Sequence, residues 1–201
     1  MPILREQFGE ANATLVFVDD NSTGQVVNGH EVWTWETFAT KAADQKQICL
    51  AVANSQVRQM LDEKCKNSGV NIMSVRSPTV VQMDDVRIDE GALLSPFVTL
   101  TSNIQIGRCF HANLYSYVEH DCQIGDYVTF APGVKCNGNV HIGDHAYIGT
   151  GAFLRQGSPE KPLRIGSHAI IGMGAVVTKD VPRGVTVIGN PAKPIVQGRE
   201  C

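Results

Sequence analysis

Stepping through the chain six residues at a time from Ile88 meets Leu94, Leu100, Ile106, Ala112, Val118, Ile124, Phe130, Cys136, Ile142, Ile148 and Leu154, and every one is apolar. At an apolar frequency of ~45%, twelve such residues in a row arise by chance about once in ten thousand. A second series two residues earlier runs Val86, Ala92, Val98, Ile104, Phe110, Ser116, Cys122, Val128, Val134, Val140, Ala146 and Ala152, with Ser116 its one polar member. Residues two apart on a strand share a face, so each hexapeptide turns one large and one small side chain inward. Neither an amphipathic helix nor a hairpin meander has a period of six. A solenoid whose flat faces each take six residues does, and three faces make an 18-residue coil. Gly107, Gly125, Gly143 and Gly149 follow large inward residues and read as permissive backbone at tight corners. The register breaks once, at residues 155–162, where glycine and prolines mark an extruded loop. It resumes at Ile165, Ile171 and Val177, for about five coils.

The first 78 residues follow other rules. Leu15 to Val18, ending in Asp19 and Asp20, and Ile48 to Ala53 read as buried strands, with Asn71 to Val75 a third. Pro2 to Glu10, Trp35 to Ala43 and Ser55 to Lys66 read as helices, the last capped by Ser55. Alternating strands and helices predict one small parallel sheet. The expected organisation is an incomplete, N-terminally truncated α/β domain over 1–78, a mainly β solenoid domain over 79–185, and a tail over 186–201.

Composition removes several function classes. A net charge of −3 without a Lys/Arg-rich stretch does not suit a nucleic-acid partner. No apolar run reaches the ~20 residues of a membrane span, and Met1 to Glu6 lack a signal pattern. Six scattered cysteines without a CxxC pair point to a reducing, cytoplasmic setting.

The hexapeptides, the segment Tyr117-Val118-Glu119-His120-Asp121-Cys122-Gln123-Ile124-Gly125-Asp126 and the ending Gly189-Asn190-Pro191-Ala192-Lys193 together resemble the sugar N-acetyltransferases of the hexapeptide superfamily. Val16 to Asp20, Ser95 to Thr99 and His111 to Asn137 are most similar to the GDP-perosamine N-acetyltransferases of O-antigen synthesis. The resemblance implies a left-handed parallel β-helix, a homotrimer with active sites between subunits, and acetyl-CoA as co-substrate without a metal. The acceptor it implies is the C4 amine of a nucleotide-linked 4-amino-4,6-dideoxy sugar. It also implies roles: His120 as general base, Asp121 as its support and Asn113 in the same site. Asp19, Asp20 and Asn54 fall to the nucleotide sugar, and Gly138, Thr150, Gly172, Gly174, Lys179 and Lys193 to acetyl-CoA. Two departures stand out. The opening strand and Gly-rich turn of those proteins have no counterpart before Pro2, so either the start is misplaced or the sugar nucleotide binds less well. Thr129 stands where some relatives have a second histidine.

Transferring an acetyl group to an amine needs a proton acceptor and a donor for the developing oxyanion. Histidine takes up protons efficiently near neutral pH, and a neighbouring carboxylate fixes its tautomer. Gly138 lies eighteen residues beyond His120, one coil along, where its N–H suits the oxyanion. His111, His141, His145 and His168 read instead as surface or capping residues. Three rivals remain at this level: O-acetylation of a sugar or sialic acid hydroxyl, a zinc enzyme using His141 and His145, and a scaffold without catalysis.

Overall fold

The structure, a computed structural model, describes residues 1–9, 13–22, 24–43 and 45–195. Glu10, expected to end the first helix, and the tail from 196 lie outside them. From Val75 onward the chain winds as a left-handed parallel β-helix of triangular section. The first face stacks Leu93–Leu94, His111–Ala112, Thr129–Phe130, Tyr147–Ile148 and Ile170–Ile171; the second stacks Thr99–Leu100, Tyr117–Val118, Lys135–Cys136, Phe153–Leu154 and Val176–Val177. The third stacks Val86–Ile88, Ile104–Ile106, Gln123–Ile124, Val140–Ile142 and Leu163–Ile165. Partners are eighteen residues apart, as in Tyr117 with Lys135 and Gln105 with Gln123. Both inward series fill one continuous core, where each fully buried aliphatic side chain contributes about 1.5–3 kcal/mol. Ser116 is tolerated there because its hydroxyl donates to the Ala131 carbonyl at 3.0 Å and accepts from the Val134 N–H at 3.2 Å.

The corners differ from the sequence reading. Gly107, Gly143 and Gly149 are needed for close approach between coils, not for left-handed backbone. A Cβ on Gly107 would lie 2.8 Å from the Gly125 carbonyl carbon, and one on Gly149 would lie 2.6 Å from the Ile171 oxygen. The left-handed positions are mostly not glycine and form three columns. Asp85, Asn103, Asp121 and Asn139 line the corner between second and third faces. Phe97 and Tyr115 begin the column between first and second, and Cys109, Tyr127, His145 and His168 run between third and first. Each non-glycine residue there costs about 1–2 kcal/mol of backbone strain. Stacking between coils offsets it: Phe97 on Tyr115 at 4.9 Å, Tyr127 on His145 at 5.1 Å and His145 on His168 at 4.7 Å.

The N-terminal unit contains α1 (Pro2–Phe8), α2 (Trp35–Thr40) and α3 (Ser55–Asn67). The expected single sheet is two. Phe17–Val18 pairs in parallel with His30–Trp33, which turns back on Val26–Val27, while Gln47–Ile48 pairs with Asn71–Ile72. The two sheets border a cavity of about 780 Å³ lined by Phe17, Val18, Trp35, Ile48, Leu50 and Leu61. The missed hairpin had a signal: Asn28-Gly29, both at positive φ, directly after the apolar pair Val26-Val27. α3 docks on the first face through two buried charges. Arg58 donates to the Tyr127 carbonyl at 2.6 Å and Thr129 Oγ1 at 2.9 Å. Asp62 receives Arg108 at 2.7 and 2.8 Å and the Tyr127 hydroxyl at 2.7 Å.

Candidate active site

The second-face strand Tyr117–Val118 ends where the chain turns toward the third face, and His120 and Asp121 occupy that corner. Asp121 is left-handed at φ 59°, a conformation that short polar side chains tolerate best. The turn brings its carboxylate back onto the preceding ring: Oδ2 lies 2.7 Å from His120 Nδ1. The other oxygen accepts from Asn103 Nδ2 at 3.2 Å, one coil below. These hydrogen bonds, His120 first and Asn103 second, hold the Asp121 carboxyl below the usual carboxylate range. With Nδ1 as donor to Asp121, Nε2 carries the lone pair.

The His120 ring lies against Gly138, where a Cβ would come within 2.6 Å of both Cε1 and Nε2. Any side chain at 138 would therefore displace the imidazole. The Gly138 N–H, expected as an oxyanion donor, instead donates to Glu119 Oε2 at 3.2 Å. Beside it the Tyr117 hydroxyl donates to Asn137 Oδ1 at 2.8 Å. A half-exposed imidazole, a fixed tautomer and a glycine cradle make a base open to ligand on one side.

The remaining residues fall elsewhere. Asn113 follows a first-face strand, at the corner between first and second faces, and its side chain donates to the Phe130 carbonyl at 3.0 Å. Thr150, Gly172 and Gly174 stack at that same corner on higher coils, with the Gly174 N–H donating to the Thr150 carbonyl at 2.8 Å. Lys179 lies on the His120 corner after Val176–Val177, and Lys193 closes the first face at the top. One chain thus unites His120, Asp121 and Gly138 but holds Asn113, Thr150, Gly172 and Gly174 one corner away.

The N-terminal candidates have structural duties. Asp19 accepts from the Asn21 N–H at 2.9 Å, and that bond, with one from Ser22, lowers its pKa. Asp20 accepts from the Trp35 N–H at 2.7 Å, at the start of α2, and sits 3.8 Å from Lys64. Asn54, not Ser55, caps α3, accepting from Gln56 and Val57. Asp19 and Asp20 border the large cavity, whereas Asn54 lines a pocket of about 300 Å³ with Thr129, Tyr147, His145 and His168. Sequence reading left Arg58 and Asp62 unremarked, since their burial follows only from docking. His111 is not a surface residue: it is 5% exposed, and burial, then the Arg58 charge 3.4 Å from Nδ1, pushes its pKa down to about 3. Among the described residues no three His, Cys, Asp or Glu side chains gather as a metal site, and no helix is long and apolar enough to cross a membrane.

No model of a known protein family matches the chain. It is 53% identical over 196 residues to the GDP-perosamine N-acetyltransferase of Escherichia coli O157:H7, across 96% of its own length and 89% of that protein's. The solved structure of WeeI from Acinetobacter baumannii AYE is 56% identical, with a TM-score of 0.95 over 97% of this chain and 92% of that one. A histidine-to-asparagine mutant of perosamine N-acetyltransferase from Caulobacter crescentus, in complex with CoA and GDP-perosamine, is 26% identical. It superposes with a TM-score of 0.88 over 98% of this chain and 90% of that one.

Proposed function

This chain belongs to the GDP-perosamine N-acetyltransferase family, and on that footing we propose that it moves the acetyl group of acetyl-CoA onto the C4 amine of GDP-perosamine. The observation that carries the chemistry is the His120–Asp121 pair, 2.7 Å apart, with its ring seated on Gly138. His120 Nε2 takes a proton from the attacking amine, and Asp121 steadies the imidazolium that results. The new C–N bond forms as the C–S bond of the thioester breaks, and the proton passes from His120 to the departing thiolate. The Gly138 N–H is the donor for the oxygen that gains charge in between.

Two corners of one prism each hold part of the expected residue set. A homotrimer supplies what one chain does not: the His120 corner of one subunit against the Asn113, Thr150, Gly172 and Gly174 corner of the next. Lys179 and Lys193 then meet the CoA phosphates. In this reading residues 1–78 hold the nucleotide through Asp19, Asp20 and Asn54, and residues 79–185 carry the transfer. The enzyme works in the cytoplasm, supplying acetylated perosamine for O-antigen.

The test is CoA release from acetyl-CoA with GDP-, UDP- and dTDP-linked 4-amino-4,6-dideoxy sugars, wild type beside His120→Ala. Turnover with the GDP-linked sugar, lowered about 10²–10⁴-fold in the variant, is expected. Silence with all three overturns the assignment, and undiminished turnover in the variant overturns the base.

A further inference from the structure

We propose that Glu119 is a displaceable occupant of the oxyanion donor, so that acetyl-CoA must evict its carboxylate before the thioester oxygen can reach the Gly138 N–H. The inference rests on the proposed acyl transfer at His120 and Gly138. Three observations lead to it. The Gly138 N–H already has an acceptor, Glu119 Oε2 at 3.2 Å. A backbone N–H carries a single hydrogen, so a carboxylate and a thioester oxygen compete for it. The competitor is no distant residue: Glu119 directly precedes His120 in the chain, and the His120 ring packs against Gly138.

Glu119 also has room to leave. It is only part-buried, at the edge of the second face beside Tyr117 and Asn137, which are bonded to each other rather than to it. Its charge sharpens the requirement. A hydrogen bond to an ionised carboxylate is stronger than one to a neutral thioester oxygen, so the free enzyme favours the occupied form. In the transition state the thioester oxygen becomes anionic, and a second negative charge on the same donor would oppose it. Glu119 therefore keeps the donor satisfied in the free enzyme and withdraws when an acyl group arrives. The ligand that displaces it must carry a carbonyl at the thioester position, so discrimination falls between acetyl-CoA and CoA.

The experiment is calorimetric titration of the full-length protein with acetyl-CoA and, separately, with CoA, for wild type, Glu119→Gln and Glu119→Ala. CoA has no thioester carbonyl to claim the N–H, so its affinity should stay within about twofold across the three proteins. Acetyl-CoA should bind Glu119→Ala about five- to tenfold more tightly than wild type, with Glu119→Gln between, since a neutral amide oxygen still accepts but more weakly. Unfolding midpoints near that of wild type, expected for a part-buried surface residue, show that the variants are folded. Equal shifts for both ligands, or none for either, overturn the role of Glu119 and leave the acyl-transfer reading standing. Failure of wild type to bind either ligand overturns that reading and the inference with it.

Discussion

His120 depends on a neighbour with no side chain. Gly138 is fixed by close approach to the imidazole, and the added methyl of Gly138→Ala would sit 2.6 Å from Cε1 and Nε2. The ring must then swing away, and displacement of a catalytic group by an ångström costs about 10²-fold in rate. Gly138→Ala should therefore lose about 10²-fold in kcat, while its urea midpoint stays near that of wild type because the half-exposed His120 ring can swing into solvent to make room. Full activity in that variant would show that the ring position is irrelevant to turnover. Much of this was legible in the sequence, since a step of eighteen links His120 to Gly138 and the adjacent carboxylate is the very next residue. Glu119 on the Gly138 N–H was not, because rotamers at a corner follow from left-handed backbone that only the folded coil reveals.

At the scale of the element, α3 is bolted to the prism by charges taken out of water. Burial alone would raise the Asp62 pKa, but the donors from Arg108, Tyr127 and Lys66 outweigh it and hold the carboxyl well below its usual range. Asp62→Ala strips Arg108 and the Tyr127 hydroxyl of that acceptor and should cost about 3–5 kcal/mol in urea unfolding. A cost under 1 kcal/mol would mean that α3 is held mainly by apolar contact. His111 makes the same junction acid-sensitive. Its folded pKa is about 3 against an ordinary 6.5, so between those values the unfolded chain binds a proton that the folded chain does not. Stability is therefore full above 6.5 and falls as pH drops, by about 1.4 kcal/mol per unit, before most carboxylates titrate. Unfolding midpoints at pH 7 and 5 should converge in His111→Gln relative to wild type, and parallel behaviour of the two proteins would refute the assignment. None of this was visible in the sequence: Arg58 and Asp62 sit one turn apart on α3 and His111 on a distant strand of the prism, with no shared period to link them. The solenoid was legible because every coil repeats its inward pair, whereas all the N-terminal strands but His30–Trp33 are two residues long and too short to show alternation.

Across the whole molecule, dividing the site between two corners has a genetic signature. If each cleft takes His120 from one subunit and Asn113 from its neighbour, His120→Ala and Asn113→Ala proteins should each be nearly silent. Their co-expressed mixed trimers should regain about one quarter of wild-type activity, the chance that both halves of a cleft are intact. No recovery would place the whole site in one chain, and sedimentation as a monomer would remove the cleft altogether. The same prism also shows where such a molecule can change. Val140 pairs with Leu163, twenty-three residues on, where Gln123 pairs with His141 at eighteen, so one corner carries five extra residues and the core beneath keeps its register. That insertion sits on the His120 corner, with the Gly157 N–H donating to the Gly138 carbonyl at 2.9 Å. A change in the length of that loop leaves the core register untouched yet lies beside the proposed site. With the site where we propose it, a lineage can thus revise what the cleft admits by editing the length of one loop while the architecture beneath stays unaltered.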